Sequence, residues 1–153
     1  MKWTHLLSRS SYVLIALVLA ACAAPGGSGG IALRATGAEE VPAVNSSASG
    51  TGTIRVAEDR TVTGAFKTQG LTVLAAHIHE GAAGANGPVI IPLQKKGDND
   101  WVVPEGAKLT DSQYQSYQKG GLYVNFHTAA HKGGEIRAQI RPAAGASGRS
   151  STY

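Results

Sequence analysis

The histidines beyond the N-terminal segment are confined to two short stretches. His77 and His79 flank one isoleucine near the end of a predicted β-strand, and His127 and His131 belong to the segment NFHTAAH. Side chains two positions apart on a strand point to the same face, so His77 and His79 form a pair suited to chelate a metal. If the two strand ends are neighbours, the four imidazoles make one metal site. Copper is favoured over zinc, because Cu(II) leads the affinity series for nitrogen ligands.

Several polar side chains near these histidines are candidate supporting groups. They are Glu40, Glu80, Asn125, Glu135 and Arg137. Asn125 shares a strand face with the histidine two positions later. Glu80 or Glu135 is expected to accept a hydrogen bond from an imidazole N–H, which would orient that ring for a metal. Glu40 and Arg137 are expected to form a structural ion pair.

Composition excludes several other kinds of site. Cys22 is the only cysteine and Met1 the only methionine, so the rest of the chain offers no sulfur ligand for zinc-finger, iron–sulfur or blue-copper centres, and no disulfide. The serines lack the G-x-S-x-G context of a hydrolase nucleophile. No cluster of Lys and Arg interleaved with aromatic residues supports binding to nucleic acid.

The N-terminal segment predicts export and a lipid anchor. Residues 1–21 combine basic residues with a short apolar run, as in a signal peptide, and the sequence LAAC resembles a lipobox that ends at an acylated Cys22. Without the two basic residues of that segment, 12 basic residues face 10 acidic ones, a net charge of +2. Residues 22–30 are expected to be the lipidated cysteine and a flexible linker, and residues 143–153 a disordered tail. Ala23 after the anchor favours the outer membrane, with the domain facing the periplasm.

The remaining segment, residues 31–142, has the size of one domain and the pattern of many short β-strands. Apolar and polar residues alternate, and turn residues separate the runs. The exception is the stretch 110–119, where Thr110 is a candidate N-cap of a short helix, with Gln113 three positions later. This pattern predicts a mostly β fold: an antiparallel β-sandwich or Greek-key barrel with one short helix.

The strand and loop sequences resemble the CHRD (chordin-type) domain. The motifs are GAEEVP at 37–42, AHIHEG at 76–81, NGPV at 86–89, YVNFHT at 123–128 and GGEIRAQI at 133–140. The resemblance covers roughly residues 31–141 in the right order. It implies an extracytoplasmic domain, since chordin is an extracellular binder of growth factors and bacterial members look like secreted or envelope proteins.

Three functions are compatible with these residues. The first is an envelope-anchored module that binds copper, or zinc as second choice, for sequestration or delivery. The second is a module that recruits an envelope protein partner, in which the histidines are only structural. The third and weakest is a redox enzyme, because the His-x-His strand before a glycine-rich loop is similar to the copper-ligand segment of Cu,Zn superoxide dismutase.

Overall fold

A computed structural model describes residue 1 and residues 29–142. The predicted signal peptide, the acylation site at Cys22 and the tail lie outside this range. The described residues form nine strands, a 3₁₀ turn and one α-helix. The strands are β1 (Ile31–Thr36), β2 (Ser49–Val56), β3 (Val62–Gln69), β4 (Ala75–Glu80), β5 (Val89–Pro92), β6 (Gln94–Lys95), β7 (Asp100–Val102), β8 (Leu122–His127) and β9 (Ile136–Ile140). The 3₁₀ turn is Gly37–Glu39 and the helix α1 is Asp111–Gln118. In this range, no helix has the length and apolar character needed to cross a membrane.

All nine strands belong to one antiparallel sheet in the order β5-β4-β8-β9-β1-β2-β3-β7-β6. The two edge strands of this order, β5 and β6, follow each other in the chain with only Leu93 between them. The sheet therefore curls into a nearly closed barrel, which confirms the predicted mostly β fold with one short helix. Strands β4 and β8 are neighbours although 41 residues separate their ends, from Glu80 to Leu122.

Strict alternation on β4, β8 and β9 divides apolar from polar side chains. Ile78, Val124 and Phe126 point into the barrel and are fully buried there, with 0% exposure. The residues between them point away from the core. They are His77, His79, Tyr123, Asn125, His127, Arg137 and Gln139, and we call this set the polar face.

Two loops cover the polar face and shield it from solvent. The loop after the 3₁₀ turn contributes Glu40, and the glycine-rich loop 81–88 lies beside it. The amide of Asn86 joins the loops by donating to the carbonyl oxygen of Val41 at 2.7 Å. As a result, most of the polar face is buried, and its polar atoms must find partners within the protein.

The single helix begins at a capping box. The hydroxyl of Thr110 accepts from the backbone N–H of Gln113, and the side chain of Gln113 accepts from the backbone N–H of Thr110, as the sequence predicts. Tyr117 packs into the barrel core, and Ser116 donates to the carboxylate of Glu80. The helix is thereby fixed to the end of β4.

Candidate metal centre

The pairing of β4 with β8 brings three of the predicted histidine ligands together. His77 lies opposite Asn125 in this register, and Ala75 lies opposite His127, so His127 is diagonal to His77 on the same face. One potential ligand nitrogen from each of His77, His79 and His127 lies within 4.8 Å of the others. We call these residues the histidine triad.

Within the triad, the closest approach is between Nδ1 of His77 and Nε2 of His127, at 3.0 Å. Two nitrogens bound to one tetrahedral metal at about 2.0 Å would be roughly 3.3 Å apart. This pair is therefore already near the spacing that a metal requires. The widest separation, 4.8 Å, closes with side-chain adjustments of about 1 Å per ring.

Backbone carbonyl groups orient two of the three rings. Nδ1 of His79 lies 2.9 Å from the carbonyl oxygen of Gly87, and Nδ1 of His127 lies 2.9 Å from that of Lys132. A carbonyl oxygen only accepts, so each Nδ1 carries the proton and each Nε2 keeps its lone pair. Nε2 of His79 is buried and has no hydrogen-bond partner. Both nitrogens are therefore prepared as metal ligands.

His77 is the member of the triad whose tautomer depends on the metal. Because Nε2 of His127 is an acceptor, Nδ1 of His77 donates to it across the 3.0 Å contact when no metal is bound. A metal held by Nδ1 of His77 would require this proton to lie on Nε2 of the same ring instead. The hydrogen bond between His77 and His127 holds the two rings next to each other.

The surroundings keep the triad uncharged. Burial lowers the pKa of His77, and the neighbouring His127 and His79 lower it further. Burial also lowers the pKa of His79 and of His127, against the opposing effect of their carbonyl hydrogen bonds. Neutral imidazole is the form that binds a metal, so protons compete weakly for this site near neutral pH.

Tyr123 and Arg137 support the imidazole of His79. Tyr123 lies parallel to the imidazole, with 4.8 Å between ring centroids and 11° between planes. The guanidinium carbon of Arg137 lies 3.5 Å from the centroid of Tyr123. Arg137 is 1% exposed and donates to Gln139 at 2.9 Å and to the carbonyl oxygen of Ala82 at 3.2 Å. These contacts fix the ring against which His79 packs.

Asn125 is held by Glu40 at the base of the site. Its amide nitrogen donates to both carboxylate oxygens, at 2.9 and 3.1 Å. A Cβ atom at Gly134, where φ is +134°, would overlap both groups, so this contact requires glycine. Burial raises the pKa of Glu40 to about 7, and Arg137 opposes this shift. Among the described ion pairs, none joins Glu40 to Arg137, so the structure does not contain the predicted ion pair; Arg137 acts on Glu40 only through the field of its charge.

Three predicted groups have other roles in the structure. His131 lies outside the triad: its carbonyl accepts from Thr128 and Gly134 in the loop, and its charge acts on Glu135. Glu135 accepts from Ser46 and Thr128, and Glu80 accepts from Ser116. Neither carboxylate is hydrogen-bonded to an imidazole in the described residues. Glu80 alternates to the other side of β4 from His77 and His79, and Glu135, which precedes β9, is occupied by Ser46 and Thr128. The orienting partners of the imidazoles are backbone oxygens instead.

Two residues that support the histidine triad, Tyr123 and Gly87, can be identified from the sequence, but by features other than the spacing of the histidines. Tyr123 is two positions before Asn125 and therefore shares its face by strand alternation. Gly87 lies in a glycine-rich loop, where close approach of two backbones is common. A Cβ atom there would overlap the carbonyl oxygen of Glu80. The carbonyl of Lys132 carries no residue-type signal at all.

The sequence matches one known domain family. The model of the CHRD domain matches residues 31–140. The chain belongs to the CHRD domain family. No curated protein and no solved structure matches it.

The CHRD domain contains all nine strands and the whole polar face. Both loops over that face are also inside the matched range, including Glu40 and Gly87. The histidine triad is therefore built entirely by CHRD domain residues.

Proposed function

We propose that this CHRD domain protein is a non-catalytic, lipid-anchored metal-binding protein of the cell envelope. One observation carries the proposal: His77, His79 and His127 converge, and carbonyl oxygens hold the Nδ1 protons of His79 and His127, which leaves a lone pair on Nε2 of each ring. A buried imidazole nitrogen without a partner is costly in a purely structural cluster. Coordination of a metal gives that nitrogen a partner.

The donor set favours copper, with zinc as the second candidate. The triad supplies three neutral nitrogens, and no thiolate or carboxylate belongs to the cluster in the described residues. For such ligands Cu(II) lies at the top of the affinity order for divalent first-row metals, above zinc. The nitrogen donors of the cluster disfavour Ca²⁺ and Mg²⁺, which take oxygen ligands.

The expected location of the protein in the cell envelope supports a role in copper sequestration or delivery. A diacylated Cys22 gives the two-chain anchoring that stable membrane attachment requires, and residues 23–30 would hold the domain off the membrane. Ala23 after the anchor favours the outer membrane, with the domain in the periplasm. A metal delivered from this position would pass to an envelope protein partner.

The test is calorimetric titration of the full-length chain with Cu(II) and with Zn(II). Cys22→Ser removes the single thiol as a competing ligand in every sample. We expect one equivalent of Cu(II) to bind, and His77→Ala to abolish this binding. His131→Ala is the matched control, because His131 is a nearby histidine outside the triad. The control should bind copper as the unsubstituted chain does.

Two results would overturn the proposal. One is the absence of metal binding by the folded protein, and the other is equal loss of binding in His77→Ala and His131→Ala. The first result would leave a CHRD domain whose histidines only organise the strand ends. Its function would then be recognition of an envelope protein, as the family resemblance to chordin implies.

A further inference from the structure

Two buried polar atoms on the polar face have no hydrogen-bond partner. They are Nε2 of His79 and Oδ1 of Asn125; in the described part of the chain the same is true only of Nε1 of Trp101. Asn125 lies directly opposite His77 and two positions before His127 on β8. Both unpartnered atoms thus belong to one small area of the sheet. Buried acceptors without partners are rare, and a bound water or ion is a common reason for them.

The contacts of Asn125 fix which way its amide is turned. Its nitrogen donates to Glu40, which follows the 3₁₀ turn that packs on β9. Strand β9 flanks β8 on one side, and β4 with two triad histidines flanks it on the other. Turning the amide over would place its oxygen against the carbonyl oxygen of Gly133, which only accepts, and against Glu40 when that group is ionised. The nitrogen is therefore committed to the β9 side, and the oxygen is left for the side of the histidines.

The histidine triad itself leaves room for an oxygen ligand. Three imidazole nitrogens supply one face of a tetrahedral site, and a metal in such a site keeps a fourth position for water or another small ligand. A water molecule bound to a divalent metal is a strong hydrogen-bond donor. The amide oxygen of Asn125 is an acceptor with two free lone pairs.

We propose that Asn125 is a positioning residue of the metal centre, whose Oδ1 accepts a hydrogen bond from a water molecule bound at the fourth position of the metal. This inference rests on the proposed function and adds to it a preference for divalent over monovalent metal ions. A site that holds a metal-bound water favours divalent Cu(II) or Zn(II), whereas Cu(I) binds water poorly and gains nothing from the amide. Glu40 and Gly134 contribute indirectly, since they hold the amide in place.

The test compares two substitutions in the full-length chain with Cys22→Ser. Asn125→Leu keeps the branched shape and the number of side-chain heavy atoms and removes the acceptor. Asn125→Asp, combined with Glu40→Gln so that the new carboxylate faces an amide donor instead of a second carboxylate, makes the acceptor stronger. We expect Asn125→Leu to weaken Cu(II) and Zn(II) binding by about tenfold or more, and to leave Cu(I) binding nearly unchanged. The double variant of Asn125→Asp with Glu40→Gln should strengthen divalent binding. Competition with chelators of known affinity measures each constant.

Pulsed electron paramagnetic resonance in D₂O supplies the readout that a structural role would not change. The Cu(II)-loaded protein should show the deuterons of one bound water, and Asn125→Leu should lose or shift that signal. A Cu(II) protein whose deuteron signal comes from imidazole N–D groups alone, with no contribution from a bound water, would overturn the inference. So would variants with unchanged spectra and affinities. If Asn125→Leu does not fold, the double variant of Asn125→Asp with Glu40→Gln decides the question: affinities and spectra equal to those of the unsubstituted chain would overturn the inference.

The outcomes separate this inference from the proposed function. If the unsubstituted chain binds neither Cu(II) nor Zn(II), both are wrong. If it binds a metal and the two Asn125 variants have the same affinities and spectra, the histidine triad stands and the role of Asn125 does not.

Discussion

Nδ1 of His79 lies 2.9 Å from the carbonyl oxygen of Gly87, a residue at which a side chain would overlap the backbone of Glu80. The ring of His79 is thus oriented by a loop that can approach β4 only because residue 87 lacks a Cβ atom. We predict that Gly87→Ala displaces this carbonyl and lowers metal affinity by about 10- to 100-fold, the usual cost of losing an orienting hydrogen bond. Titration with Cu(II) measures the change.

Gly133→Ala is the control for that prediction. An added Cβ atom at Gly133 meets nothing within 4 Å, so this variant should bind metal with unchanged affinity. Equal affinities of Gly87→Ala and the unsubstituted chain would show that the carbonyl of Gly87 does not orient His79.

The sequence predicts the components of this centre better than their assembly. Alternation places His77 and His79 on one face, and it places Asn125 and His127 on one face, because period two is a local property of any strand. The convergence of these pairs depends on β4 lying next to β8, a long-range pairing that local patterns do not encode. His131 shows the same limit. Its distance from the triad is set by the turn of a loop, which the spacing of histidines does not reveal.

Metal binding should stabilise the domain, because the triad joins β4 to β8 in the folded state only. At a free metal concentration of 100 times Kd, we expect about 2.7 kcal/mol of added stability. For a domain of this size, that corresponds to a rise in Tm of about 10 °C. Calorimetric melting with and without Cu(II) measures the shift. It should be absent in His127→Ala and retained in His131→Ala; a shift that persists in His127→Ala would place the metal elsewhere.

Replacement of Arg137 by lysine should destabilise the domain. Its buried guanidinium packs on Tyr123 and donates to Gln139 and to the carbonyl oxygen of Ala82, whereas an ammonium group lacks the planar fork needed for these contacts. We predict that Arg137→Lys lowers the free energy of unfolding by about 2 kcal/mol. Urea denaturation measures this value. Arg34→Lys, on an exposed position of β1, should change it by less than about 0.5 kcal/mol. Similar losses in the two variants would refute the prediction.

Glu40 should make the metal-free protein less stable as the pH rises from 4.5 to 7. Burial raises the pKa of Glu40 from 4.5 to about 7, so in this range the folded state binds a proton that the unfolded state has released. The contribution of Glu40 to stability is therefore complete below pH 4.5 and is lost as the pH passes 7; its upper limit is about 3 kcal/mol.

The measurement for Glu40 is urea denaturation at pH 5 and pH 8 in the presence of a chelator, compared with Glu40→Gln. The histidines of the triad act in the opposite direction, because their pKa values are lowered and the unfolded state gains protons below pH 6.5. Their effect is common to both proteins and cancels in the difference. The unsubstituted chain should therefore lose more stability between pH 5 and pH 8 than Glu40→Gln does. Equal losses would mean that Glu40 is already ionised in the folded protein at pH 5, and that its hydrogen bonds from Asn125 outweigh its burial.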